Sequence, residues 1–290
     1  MIREATRRLR QRLPAPLVGA LRRVIVAWGM ATVSLRPPPE IIVVGAQRAG
    51  TTTLFRLLSE HPQLRRPTVD KGTGYFDDAY RRGPRWYRAH FPVRRPGGRQ
   101  KAFECSGYYL FHPLAAERIA RDLPGCQVVV MVRDPVARAY SAHRHELARG
   151  YEGLGFSEAV ALESERTRGL TQTLAAEPAA ASFAHRHHCY LQRGHYAEQV
   201  QRFVDALGAD RVHVIDADVQ FADPIATYLQ LQERLGLSPY RPAVVGRWNE
   251  RPGPTLPADL ELRLRAHFEP HDAALAQLIG HVPSWRREEP

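Results

Sequence analysis

Residues 41–53 read Ile41-Ile42-Val43-Val44-Gly45-Ala46-Gln47-Arg48-Ala49-Gly50-Thr51-Thr52-Thr53. Four β-branched residues in a row, stopped by a glycine, predict a short strand buried on both faces, as in a parallel sheet. Leu54, Leu57 and Leu58 then recur at helical spacing, which predicts a helix over 51–60. A glycine-rich turn between a parallel strand and a helix gathers backbone N–H groups and the positive end of a helix dipole. The segment is therefore a candidate anion site. Gly45 and Gly50 permit the turn, and the threonine hydroxyls add donors.

The rest of the chain repeats the strand–helix alternation. Strands are predicted at Lys101–Cys105, Gln127–Val132 and Arg211–Ile215. Helices are predicted at Pro113–Leu123, from Asp134-Pro135 through about Leu147, at Tyr196–Leu207 and at Pro224–Leu235. Two more are expected over Pro257–Ile279, broken near Pro270. This order gives an α/β fold, a P-loop-like three-layer arrangement with a central, mainly parallel sheet flanked by helices. Ligands in such sheets sit at the carboxyl ends of the strands. The residues just after Val44 and Val132 are thus the first places to search. Residues 151–184, rich in Ala, Glu and Thr, are expected to form a lid or substrate loop.

The spacing of Gly45 and Gly50 matches the nucleotide pattern G-x-x-x-x-G-K-[ST], but Thr51 stands at the lysine position. The cation lies inside the loop, at Arg48. A nucleotide kinase needs that lysine and a magnesium system for its γ-phosphate; a terminal sulfuryl group carries less charge and requires no metal. The second anchor is Val132-Arg133-Asp134-Pro135-Val136-Ala137-Arg138-Ala139-Tyr140-Ser141. A buried strand delivers Arg133 to the sheet's carboxyl edge, and the following helix carries Ser141. Arginine can grip phosphate with two donors, and serine adds a third.

These two segments resemble the 5′-phosphosulfate loop and the 3′-phosphate motif of the sulfotransferase superfamily, closest to its carbohydrate, heparan-sulfate-type branch and bacterial relatives. The resemblance runs over roughly residues 40–285. It implies 3′-phosphoadenosine 5′-phosphosulfate as donor, adenosine 3′,5′-bisphosphate as product, and a hydroxyl or amine acceptor, carbohydrate or glycolipid. Gln47, Arg48, Ala49, Gly50, Thr51, Thr52, Thr53, Arg133 and Ser141 would bind the cofactor, with Arg251 from a closing loop. Family members usually carry lysine where this chain has Arg48. A carboxylate usually follows the lysine corresponding to Lys71, but here Gly72 follows, and Gly74 replaces a histidine two residues on. Glu104 is therefore the first candidate for the base, with His112 the runner-up and Asp77 and Asp78 also weighed. Lys71 is a candidate to bind the sulfuryl group or acceptor. Two rivals stay open: a P-loop kinase, and an inactive nucleotide-binding protein associated with a membrane.

The chain has 290 residues and 44% hydrophobic content, enough for a sizeable core. Three cysteines cannot form a disulfide framework, which points to a reducing, cytoplasmic setting. A formal charge of +11 favours anionic partners. No nucleic-acid-binding signature accompanies it. Residues 1–39 read as a basic amphipathic segment and Pro-rich linker, and 40–290 as the sulfotransferase domain. Arg22 and Arg23 interrupt the apolar stretch, so residues 1–35 suit a helix packed on the domain or lying on a membrane surface rather than a span. His185-Arg186-His187-His188-Cys189 matches no standard zinc spacing, and no metal is expected.

Overall fold

The computed structural model describes residues 15–94, 97–242 and 256–287. Five strands form one parallel sheet: β1 (Ile41–Gly45), β2 (Leu64–Arg65), β3 (Lys101–Cys105), β4 (Gln127–Val132) and β5 (Val212–Asp216), in the order β2-β3-β1-β4-β5. Every residue of β1 is buried, as its unbroken apolar run requires. Strand order reverses at β1, which has β3 on one side and β4 on the other. A parallel sheet opens a crevice at such a switch point, beyond the carboxyl ends of its strands.

The flanking helices are α1 (Ala15–Ala31), α2 (Thr51–Glu60), α3 (Gly83–Arg88), α4 (Ala115–Asp122), α5 (Pro135–Leu147), α6 (Phe156–Ala161), α7 (Glu163–Arg166), α8 (Leu170–Ala176), α9 (Phe183–His187), α10 (Tyr196–Leu207), α11 (Ala217–Ala222), α12 (Pro224–Arg234) and α13 (Ala258–Ile279). The start of α5 has a local cause. Asp134 accepts hydrogen bonds from the N–H groups of Val136 and Ala137, and Pro135 takes a first-turn position where its missing N–H costs nothing.

Two expectations are corrected. Helix α13 is continuous, with Pro270 inside it. An internal proline costs about 3 kcal/mol. Leu260, Leu264, Phe268 and Leu275 are buried along the same helix, on both sides of Pro270, and burying each such side chain returns roughly 1.5–3 kcal/mol. Residues 151–184 are not an extended loop: they fold as short helices tied to residues 190–192. The buried Glu163 carboxylate accepts from the backbone N–H groups of Tyr190, Leu191 and Gln192, and Glu152 accepts from Arg166 and the Tyr190 hydroxyl.

Helix α1 packs against α3. A Cβ at Gly29 would stand 2.1 Å from the Ala89 carbonyl oxygen, so only glycine allows that approach. The chain beyond α1 is stitched on by the guanidinium of Arg36 to the Phe91 carbonyl and by Arg88 to the Arg36 carbonyl. Leu17, Leu21, Val24 and Trp28 form an exposed stripe on the helix, spaced four, three and four residues apart. No helix among the described residues is long and apolar enough to cross a membrane.

Candidate active site

The loop after β1 lies at the switch point. The Ala46 N–H donates to the Met131 carbonyl at 2.7 Å, tying the loop to β4, while the turn after β3 closes over the other side with Ser106 N–H on the Val43 carbonyl and Leu110 N–H on the Val44 carbonyl. Gly50 is left-handed, φ 80°, and heads α2. A Cβ there would meet the Phe221 ring at 2.8 Å, so glycine is required twice over. Arg48 is also left-handed, φ 71°, alone among the described non-glycine residues. Such a conformation costs an L-residue of order 1 kcal/mol and is held here by the surrounding loop. It turns the Arg48 side chain across the crevice, where its Nε donates to Ser141 Oγ at 3.1 Å.

Arg133, at the end of β4, donates from a terminal nitrogen to the Arg48 carbonyl at 3.4 Å. Its backbone carbonyl is anchored by the Tyr196 hydroxyl at 2.9 Å. Asp218 lies 3.8 Å from the Arg133 Nε, too far for a hydrogen bond, and that buried Nε has no hydrogen-bond partner in the protein. The two strand tips therefore meet at one cleft, with Arg48 bonded to both Ser141 and Arg133. Arg251 lies outside the described residues.

Lys71 completes the loop from elsewhere in the sequence. Its ammonium donates to Thr51 Oγ at 2.8 Å and approaches Thr52 Oγ at 3.4 Å. The cation missing at position 51 is thus supplied in space from twenty residues downstream. Thr51 and Thr53 are buried, and Thr53 Oγ has no hydrogen-bond partner. Gln47 is held by Arg193, a buried guanidinium that also donates to the His185 and Arg186 carbonyls. Arg193 has no role legible in the sequence, because its partner Gln47 lies 146 residues away along the chain.

The candidate bases separate clearly. Glu104 is fully buried, and its carboxylate accepts from the Thr73 N–H at 3.4 Å and the Thr73 hydroxyl at 3.2 Å. Burial pushes its pKa up, while the hydroxyls of Tyr109 and Tyr87 and the Thr73 donors pull it back. In this arrangement the Glu104 carboxylate holds the 71–77 segment through Thr73. His112 is buried as well. Burial, helped by Arg118, Arg186 and Arg202, lowers its pKa to about 3, too weak for proton abstraction near neutrality. Asp78 is paired with Arg186.

Asp77 differs from these. One oxygen accepts from the Asp78 N–H at 2.6 Å; the other has no hydrogen-bond partner and lies 3.6 Å from an Arg186 nitrogen. Burial raises its pKa to about 7, with Arg186 opposing. Gly74, φ 68°, leaves space beside it: a Cβ there would stand 3.1 Å from Asp77 Oδ1. Gly72 is equally constrained, since a Cβ would fall 2.5 Å from the Cys105 carbonyl oxygen. The segment is built for glycine where a family carboxylate was expected.

The histidine-rich run does not converge on a metal. His185 is bonded to the Tyr108 and Thr171 hydroxyls, His187 to Glu146 and His188 to the Tyr151 carbonyl.

Known proteins resemble this chain over most of its length. The family model for the Sulfotransferase domain matches residues 38–244. The crystal structure of a sulfotransferase from Alicyclobacillus acidocaldarius superposes with a TM-score of 0.67 at 29% identity, covering 87% of this chain and 100% of that one. The bifunctional heparan sulfate N-deacetylase/N-sulfotransferase 2 of Bos taurus is 26% identical over 283 residues, 87% of this chain and 31% of that protein. The human heparan sulfate glucosamine 3-O-sulfotransferase 3B1 is 24% identical over 276 residues, 85% of this chain and 65% of that protein. The chain spans about a third of the length of the bifunctional relatives.

Proposed function

The chain belongs to the sulfotransferase family, and we propose that it moves a sulfuryl group from 3′-phosphoadenosine 5′-phosphosulfate to a hydroxyl or amine of a carbohydrate or glycolipid acceptor. The observation that carries this reading is the single cleft in which Arg48, Arg133, Ser141 and Lys71 converge at the ends of β1 and β4. The heparan sulfate relatives support the carbohydrate acceptor.

The donor set fits a nucleotide bearing phosphate at both ends. Arg133 keeps an unsatisfied buried Nε, and Ser141 on α5 bonds the same Arg48 that Arg133 reaches; together they suit a 3′-phosphate. The first turn of α2, with Thr51 and Thr52, suits the 5′-phosphate. When bound, the cofactor supplies an activated sulfuryl group on a phosphate leaving group. Arg48 and Lys71 bring two fixed cations to that end of the cleft, where preorganised charge has its largest effect. Arg48 cannot give up a proton, so its part is electrostatic. Asp77 takes the acceptor's proton in this reading, since its base form is populated near neutrality and one oxygen accepts no hydrogen bond and has only the Arg186 cation beside it.

Calorimetry tests the reading. Adenosine 3′,5′-bisphosphate is expected to bind more tightly than ATP; tighter ATP binding would favour the kinase reading and overturn this one. Arg133→Ala is expected to weaken adenosine 3′,5′-bisphosphate by about 10–150-fold, since hydrogen bonds to charged groups are worth about 1.5–3 kcal/mol. Adenosine 5′-phosphate, lacking the 3′-phosphate, should bind parent and variant alike. The fold should tolerate the change, because the Arg133–Asp218 pair is partly exposed and 3.8 Å apart. Equal losses for both nucleotides would remove Arg133 from the 3′-phosphate.

A further inference from the structure

A second cluster gathers around His195, the residue before Tyr196. His267 and His271 sit one helical turn apart on α13, so their side chains project from one face. His195 immediately precedes α10 and meets both. Its Nε2 is 3.2 Å from that of His267, and its ring stacks on His271 with centroids 3.6 Å apart. One nitrogen from each of the three lies within 4.8 Å of the others.

We propose that His195, His267 and His271 form a binding site for a divalent transition metal of the zinc class, which staples α13 to the start of α10. Two imidazole nitrogens on a tetrahedral zinc at about 2.0–2.1 Å stand roughly 3.3 Å apart, close to the His195–His267 separation. His271 needs only a side-chain rotation to close the third edge. A pair spaced i, i+4 on one helix face with a third imidazole from a neighbouring element is a sound ligand geometry. Three imidazoles without carboxylate or thiolate select zinc, cobalt, nickel or copper over magnesium or calcium. His267 is exposed, which leaves the fourth position to water.

The backbone around the cluster is held rigidly. Gly194 packs so tightly on Phe268 that a Cβ would stand 2.6 Å from its ring. That contact sets the distance between the loop carrying His195 and the helix carrying the other two. The site also touches the nucleotide cleft indirectly. Tyr196, next to His195, holds the Arg133 carbonyl at 2.9 Å. The metal would act on position and stability, not on the transfer chemistry.

The test uses the full chain, free of any affinity tag and stripped with chelator. Zinc titrated by calorimetry should bind at one ion per chain and raise the Tm. Cobalt should give the visible absorption of a tetrahedral site. His267→Ala and His271→Ala, each verified as folded by circular dichroism, should each weaken zinc by at least about 100-fold, since even outer-shell partners of a metal are worth 10–100-fold. The double variant His187→Ala/His188→Ala should bind zinc like the parent. No saturable binding up to about 1 mM zinc, or unchanged affinity in both α13 variants, overturns the proposal and leaves the cluster as a His195–His267 hydrogen bond and a ring stack.

Discussion

Asp77→Asn is expected to slow sulfuryl transfer by about 10²–10⁴-fold, the range lost when a positioned general base is removed. Asparagine matches aspartate in shape and still accepts the Asp78 N–H, so the fold and cofactor affinity should be kept. The pH profile gives a readout that a structural role would not move. Burial raises the Asp77 pKa to about 7, so the carboxyl is protonated and idle below that value and becomes a base above it. The parent's rate should therefore rise with pH through about 7 and then level, whereas the residual rate of Asp77→Asn should lack that limb. A variant with parental turnover and an unchanged profile would exclude Asp77 as the base. Arg186→Ala provides the complementary check. Removing the cation beside Asp77 should shift the limb to higher pH, because a neighbouring positive charge favours the ionised carboxylate.

Arg48→Ala should lower kcat by about 10²–10³-fold, the usual cost of deleting one preorganised donor that faces developing charge. The backbone argument isolates the side chain. Arg48 and alanine both carry a Cβ, so the strain of φ 71° is the same before and after the change. What disappears is the guanidinium and its bond to Ser141. Arg48→Lys keeps a cation but loses the planar fork, and should recover part of the loss. Single-turnover rates at saturating donor measure the effect apart from binding. Turnover of Arg48→Ala within tenfold of the parent would take Arg48 out of the mechanism and leave Lys71 as the cation that acts there.

The strands and their helices were legible because their causes are local. Ile41–Val44 and Val128–Val132 are continuous apolar runs, and only a strand covered on both faces buries every residue of such a run. Asp134-Pro135 announces a helix start in two residues. Pro270 was legible as a helix breaker only in isolation. The packing of Leu264, Phe268 and Leu275 on either side of it decided otherwise. Residues 151–184 looked unanchored because their fastenings are distant: Glu163 is tied to residues 190–192.

The amino-acid sequence by itself determined the parallel α/β frame, the anion loop of residues 45–53 and the strand end that carries Arg133. These follow from short-range rules: β-branched runs, glycine at turns and caps at helix starts. Tertiary structure alone decided which charged groups meet. It brought Lys71 to Thr51, placed Glu104 against Thr73, set one Asp77 oxygen beside Arg186 and set His195 against His267 across 72 residues. The physical reason is that side-chain hydrogen bonding and pKa depend on burial and on neighbours a few ångströms away. Those neighbours are chosen by strand order and helix packing, which no window of sequence contains.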